Sequence, residues 1–296
     1  MAVAVSSYTP ERASEVVSPG QRQADQELQG QRNRRRTPLG SLGWRRWLSP
    51  LAILVCWQLA SSLRILSPQK VPPPTTVWHT AVHLVTTDSA AYGTLQGAML
   101  ASLQRMAIGF SLGASVAIVL AVVAGLSRLG ENVVDPPMQM LRTLPLFGLV
   151  PVFIVWFGIG QLPKVLLIAL AASIPLYLNV FAGIRSVDPK LAELGQVLHL
   201  KRHETLRCVV FPAALPSALV GLRQSLGVAW LALVVAEQLN VSNGLGFMIN
   251  QATQFLQNDV IFVALIVYTV LGLITDALVR SLERRALAWR PALLAL

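Results

Sequence analysis

The sequence predicts an all-α polytopic membrane protein with six transmembrane helices, and three observations carry that prediction. The 296 residues are 54% apolar and 13% charged, against about 25% charged in an ordinary soluble domain. Six apolar runs approach the roughly 20 helical residues that cross a hydrocarbon core: 47–66, 106–126, 144–159, 165–184, 214–236 and 260–279. Charge is also segregated, because residues 1–46 hold eight basic and four acidic side chains while residues 106–126 hold none.

Residues 1–46 read as a disordered basic cytoplasmic tail. The stretch is rich in Gln, Arg, Ser and Gly, has no apolar period, and carries the cluster Arg32, Arg34, Arg35, Arg36. Basic residues beside a first span hold that side in the cytoplasm. No aromatic residues interleave with the cluster, so no nucleic acid is expected as a partner despite the net charge of +10. The first apolar run begins only after this tail, which argues against a cleaved secretory signal. With the tail inside, the remaining cytoplasmic segments carry 11 basic residues and the outer ones 4, so both termini are expected in the cytoplasm. Residues 47–296 are then a single six-helix domain in contact with membrane lipid.

Between the first two spans, Val71 to Pro74 forms a stiff entry to a short helix at the outer interface, with Val77, Trp78, Ala81, Val82 and Val85 at helical spacing. In the second span small residues recur at every fourth position: Gly109, Gly113, Ala117, Ala121, Gly125. Such a ridge admits close approach of another helix, which matters in lipid, where contact area must come from tight packing. Arg105, at the outer end of that span, reads as a headgroup contact. The third run carries Pro145 and Pro151 and is expected to be kinked or broken, hence interior, since lipid cannot satisfy freed backbone groups.

Residues 185–213 lie between the fourth and fifth spans and are too polar to cross a membrane. Asp188 is placed to cap a helix starting at Pro189, with Leu191, Leu194 and Leu198 on one face. A second helical stretch, about 203–211, is expected to stop at Pro212. This segment resembles the cytoplasmic loop of permease subunits of binding-protein-dependent ABC importers, whose pattern is E-A-A, three residues, G, nine residues, I, one residue, L-P. Glu193, Leu194 and Gly195 fill its first three positions, His199 its glycine, and Pro212 its proline. A glycine there permits a left-handed turn; histidine adopts one at some cost.

The resemblance extends from about residue 47 to the end, through 102–113, 136–160, 221–237 and the GLGFMI stretch at 244–249, and is nearest to the nitrate, sulfonate and taurine branch. It implies a type I ABC importer permease fold and no cofactor. It also implies two ATP-binding-cassette ATPase subunits seated on Glu193, Leu194, Gly195, His199 and Pro212. A second permease, most simply an identical copy, and a periplasmic or lipid-anchored binding protein complete the assembly in a bacterial inner membrane.

No G-x-x-x-x-G-K-[ST] occurs, so ATP hydrolysis is expected on another chain and the permease itself is no enzyme. Cys56 and Cys208 show no metal spacing, His203 and Glu204 lack the second histidine of a zinc motif, and His79 and His83 lack a third ligand. Arg223, Gln224 and Ser225 fall inside the fifth span, where a charge needs water, a partner or a cavity. They are candidates for the translocation path, Arg223 either attracting an anion there or pairing toward the cytoplasmic loop. Glu237, at the outer end of the fifth span, joins them as a candidate gate. Asp276 is expected to balance Arg280, four residues on. An ion-driven secondary transporter is the rival reading, and the absence of a carboxylate at the centre of any span speaks against it.

Overall fold

The computed structural model describes residues 45–63, 67–89, 93–188, 190–191, 197–238 and 243–289. They fall into two compact units, Met1–Trp57 and Gln58–Leu296. Of the first, the described part is the N-terminal portion of helix α1 (Arg45–Ser62), where Leu51, Ile53 and Val55 are exposed. The tail expected at residues 1–46 lies outside the described residues apart from its last two positions.

In the second unit, α2 (Pro74–Thr86) is the short helix expected between the first two spans, entered through Pro73 and Pro74. It buries Val77 and Leu84 and leaves Trp78, Val82 and Val85 exposed. The Thr80 hydroxyl donates to Asp259 at 2.7 Å, fixing α2 to the start of the last helix.

Among the described residues four helices are long and apolar enough to cross a membrane: α3 (Leu95–Leu126), α6 (Leu162–Arg185), the continuous stretch His203–Gln238, and α10 (Asn258–Ala286). α3 starts 11 residues before the expected span, at a Thr94 side chain that accepts from the Gly97 amide at 3.2 Å. Its small-residue ridge packs on α6 as expected. A Cβ on Gly113 would lie 2.2 Å from the Ala169 carbonyl oxygen, and one on Gly109 2.8 Å from Ile168 Cβ. The two backbones therefore touch directly, the contact that replaces hydrophobic drive in lipid. On its other side α6 meets α8 (Phe211–Gln238): a Cβ on Gly221 would lie 2.6 Å from Asn179 Cβ. Tyr177, Leu176 and Ala117 lie in the core these helices form.

The third expected span, 144–159, is not one crossing helix. After α4 (Arg128–Thr143), Leu144 is extended at ψ 134°, as the residue before a proline prefers. A 3₁₀ turn (Leu146–Leu149) follows, then α5 (Val150–Phe157), eight residues long, ending at Gly158 with φ +77°. The break is as expected; the interior position is not found within the single chain. Val150 is buried against Leu167 and Ala236, whereas Val155 and Trp156 are 81% and 70% exposed. The short helices α7 (Arg202–Thr205) and α9 (Leu245–Gln254) complete the described elements.

Candidate functional site

Ser102 and Arg105 sit three apart on α3, so they share a face. Arg105 is also in register with the ridge that starts at Gly109, which turns it toward α6 rather than toward lipid. Its guanidinium donates Nε–H to Gln161, ahead of α6, and its two Nη groups to Glu237 on α8 and to Asn243, ahead of α9. Arg105 is 5% and Glu237 0% exposed. Glu237 Oε2 accepts from Ser102 at 2.7 Å, from the Tyr268 hydroxyl of α10 at 2.7 Å and from the Gly246 amide at 3.0 Å. The Leu245 amide donates to Ser102 at 2.9 Å. One carboxylate thus neutralises a buried arginine and receives a first-turn amide of α9, where negative charge is favoured.

The G-L-G sequence at 244–246 follows from this crowding. Gly244 takes φ +113°, and a Cβ there would lie 2.5 Å from an Arg105 Nη; on Gly246 it would lie 2.4 Å from Glu237 Cβ. Two sequence expectations are corrected here. Arg105 is no headgroup contact, and Glu237 is no exposed gate at a helix end, because each supplies the other's charge partner across 132 positions of sequence. The signal that would have found the pair is the four-residue register joining Arg105 to Gly109.

The expected path residues are not brought together. Ser225 is fully buried and donates to the Ala172 carbonyl, so it bonds helix to helix. Gln224 accepts from Asn179 at 2.9 Å. Arg223 lines a groove of about 420 Å³ between α8 and α10 bordered also by Gly227, Trp230, Gly272, Thr275 and Asp276. Arg223 Nε donates to Asp276 Oδ1 at 2.8 Å, and Asp276 Oδ2 accepts from Arg280 at 2.7 Å. The Asp276–Arg280 pair is as expected, and Arg223 turns to α10 rather than to the cytoplasmic segment. At about 1.5 Å rise per residue, Arg223 lies about 18 Å from the start of α8 and Asp276 about 15 Å from the end of α10. Arg223 falls within the apolar run 214–236, where an unpaired charge facing lipid costs about 2.5–3.5 kcal/mol or more, and Asp276 lies toward the end of the run 260–279.

In the segment 185–213, Glu193, Leu194, Gly195 and Pro189 lie outside the described residues. Asp188 accepts from the Lys190 amide at 2.9 Å, and Leu191, Val197 and Leu198 are exposed. His199 takes φ +55°, the left-handed turn its position calls for. Glu204 accepts from the Lys201 amide at 2.8 Å, capping α7. The helix does not stop at Pro212. A π turn (Leu206–Val210) carries α7 into α8, with the Phe211 amide bonded back to Leu206. Pro212 then follows just after the π turn, whose altered hydrogen-bond frame lets the helix pass a residue without an N–H.

Among the described residues no group of three His, Cys, Asp or Glu side chains is placed to hold a metal ion. His79 and His83 line a cavity of about 530 Å³ with Asp259, whose carboxylate holds Thr80.

Residues 113–287 match the family model of the binding-protein-dependent transport system inner membrane component. The chain is 44% identical over 249 residues to the aliphatic sulfonates transport permease protein SsuC of Bacillus subtilis (strain 168), covering 84% of this chain and 88% of that one. It is 32% identical to the taurine transport system permease protein TauC of Escherichia coli (strain K12), over 80% of this chain and 86% of that one. Its fold is that of a crystal structure of an amino acid ABC transporter with histidines, with a TM-score of 0.54, 18% identity, and 64% of this chain and 92% of that one covered.

Proposed function

This chain belongs to the binding-protein-dependent transport system inner membrane component family and is the permease subunit of an ABC importer, and we propose that its solute is an aliphatic sulfonate. The observation that carries the choice of solute is the 44% identity with the aliphatic sulfonates permease, against 32% with the taurine permease. The group Arg223, Asp276, Arg280 supports it, because two cations and one carboxylate leave one excess positive charge beside the groove between α8 and α10.

In this reading the protein works as a pair, most simply two copies, with both termini in the cytoplasm. Two ATPase subunits bind below and hydrolyse ATP, and a periplasmic or lipid-anchored binding protein delivers the sulfonate above. The segment 185–213 is the coupling element. Its residues Glu193, Leu194, Gly195, His199 and Pro212 seat on the ATPase, and the uncovered Leu191, Val197 and Leu198 supply apolar contact. Closure of the ATPase pair on ATP draws the coupling segments together and exchanges outward for inward access. The ion-driven alternative calls for a free carboxylate at the centre of a span; Asp276, toward the end of the run 260–279, is held by two arginines, and Glu237, at the end of α8, by another.

The test is to co-express the chain with its ATPase and binding protein, co-purify the complex, and measure ATP-dependent uptake of ethanesulfonate, taurine and nitrate into proteoliposomes. Ethanesulfonate uptake that needs all components is expected, and a Glu193→Ala, Pro212→Ala double variant should lose the ATPase. Uptake of taurine or nitrate without ethanesulfonate would overturn the choice of solute, and a permease that retains no ATPase would overturn the coupling assignment.

A further inference from the structure

The groove between α8 and α10 combines features that helix packing alone does not call for. Gly227 and Gly272 both line it, and a Cβ on either would meet nothing within 4 Å. Glycines elsewhere in the helices admit a neighbour; these two admit open space. Glycine in a helix interior is unfavourable relative to alanine, so neither local stability nor close packing accounts for the pair. The volume of about 420 Å³ falls within the range of about 300–1,000 Å³ typical of small-molecule sites.

The chemistry at the groove is that of an amphipathic anion. Asp276 spends one oxygen on Arg223 and the other on Arg280, so the three side chains carry one uncompensated positive charge. Among the described residues only Nε of Arg223 has a hydrogen-bond partner, which leaves its Nη donors available on a side chain 52% exposed. A guanidinium with a free donor edge suits an oxyanion with several acceptor oxygens. Leu231, one helical turn beyond Gly227, continues the groove as an apolar wall, and the Trp230 indole N–H is turned aside to Thr275 at 3.0 Å, presenting ring rather than donor. Arg223 meets its counter-charge in Asp276 and borders the groove with the rest of its guanidinium.

We infer that this groove is a binding site for a small aliphatic sulfonate within each permease chain, the sulfonate oxygens on Arg223 and the alkyl tail across Gly227 and Gly272. The inference rests on the sulfonate importer reading above and adds the place where the permease itself recognises the solute. Nitrate, lacking a tail, would use the charged end only.

Direct binding to the purified full-length permease in detergent, with no binding protein present, tests it. Radiolabelled ethanesulfonate and pentanesulfonate are titrated by equilibrium dialysis against wild type, Arg223→Gln, Gly227→Leu and Gly272→Leu, each checked for a monodisperse fold. Arg223→Gln should weaken both ligands at least tenfold. Each leucine variant should weaken pentanesulfonate severalfold more than ethanesulfonate, a tail-length dependence that general loss of structure does not produce. No saturable binding to wild type overturns the inference, as does equal weakening of both ligands by the leucine variants. A change of oligomeric state in Gly227→Leu with binding unaltered would assign the groove to a second copy instead, and also overturns it. Should the reconstituted importer carry ethanesulfonate while the permease alone binds none, the function stands and the groove assignment falls. Binding here without transport of any sulfonate would have the opposite meaning.

Discussion

Replacing Glu237 by glutamine probes the buried ion network at its centre. The substitution keeps size and one acceptor oxygen but removes the charge and puts an NH₂ donor where the carboxylate received only donors: Arg105 on one oxygen, and Ser102, Tyr268 and the Gly246 amide on the other. Whichever way the amide turns, a donor meets a donor, and Arg105, 5% exposed, loses its counter-charge. Breaking a buried pair from one side costs about 3–5 kcal/mol. At roughly 2–4 °C per kcal/mol for a chain of this order of size, the thermal midpoint in detergent should fall on the order of 10 °C. Amide exchange should rise first in α9, whose leading amides lose their acceptors. The double variant Arg105→Gln, Glu237→Gln removes both charges and should recover part of the loss, giving a non-additive cycle. A midpoint within about 2 °C of wild type, or strictly additive single losses, would refute the idea that these groups neutralise each other.

Three further outcomes follow from contacts described above. Gly113→Ala forces a Cβ to 2.2 Å from the Ala169 carbonyl and should destabilise by about 1–3 kcal/mol as α3 is levered from α6, read as accelerated limited proteolysis; Gly113→Val should fail to accumulate in the membrane. His199→Gly removes the strain of a left-handed β-carbon, about 1–2 kcal/mol, and should tighten ATPase retention on co-purification, whereas His199→Val should weaken it. Asp276→Asn frees Arg223 and Arg280 from their shared carboxylate and should tighten ethanesulfonate binding severalfold in the dialysis assay, with a steeper loss of binding as salt is raised.

The features legible in the sequence were those written in a single segment. The ridge Gly109 to Gly125 announced the α3–α6 contact because a four-residue repeat of small side chains has one geometric meaning in a helix. Pro145 and Pro151 announced the broken third span, and the place of His199 in its loop pattern announced a left-handed residue. What escaped was chemistry assembled from distant segments. Arg105, Glu237 and Tyr268 come from three helices, and hydropathy assigns each charge a cost without knowing the other is near. Reading Arg105 as exposed also put the start of α3 too late. Pro212 misled for the opposite reason: a lone proline reads as a helix stop, but a π turn just before it alters the bonding frame so that the helix runs on.

The stretch His203–Gln238 is one unbroken helix of 36 residues, about 54 Å long at the usual rise. Its lower end adjoins the segment proposed to meet the ATPase, and its upper end holds Glu237. A rod of that reach transmits tilt and axial rotation lengthwise without a relay of intervening side chains. The π turn near its foot, with Pro216 beyond it, is where a change of winding can absorb or launch such a rotation. A few degrees of twist imposed at the cytoplasmic face would therefore arrive at the opposite surface as torque on a carboxylate that three other helices are gripping.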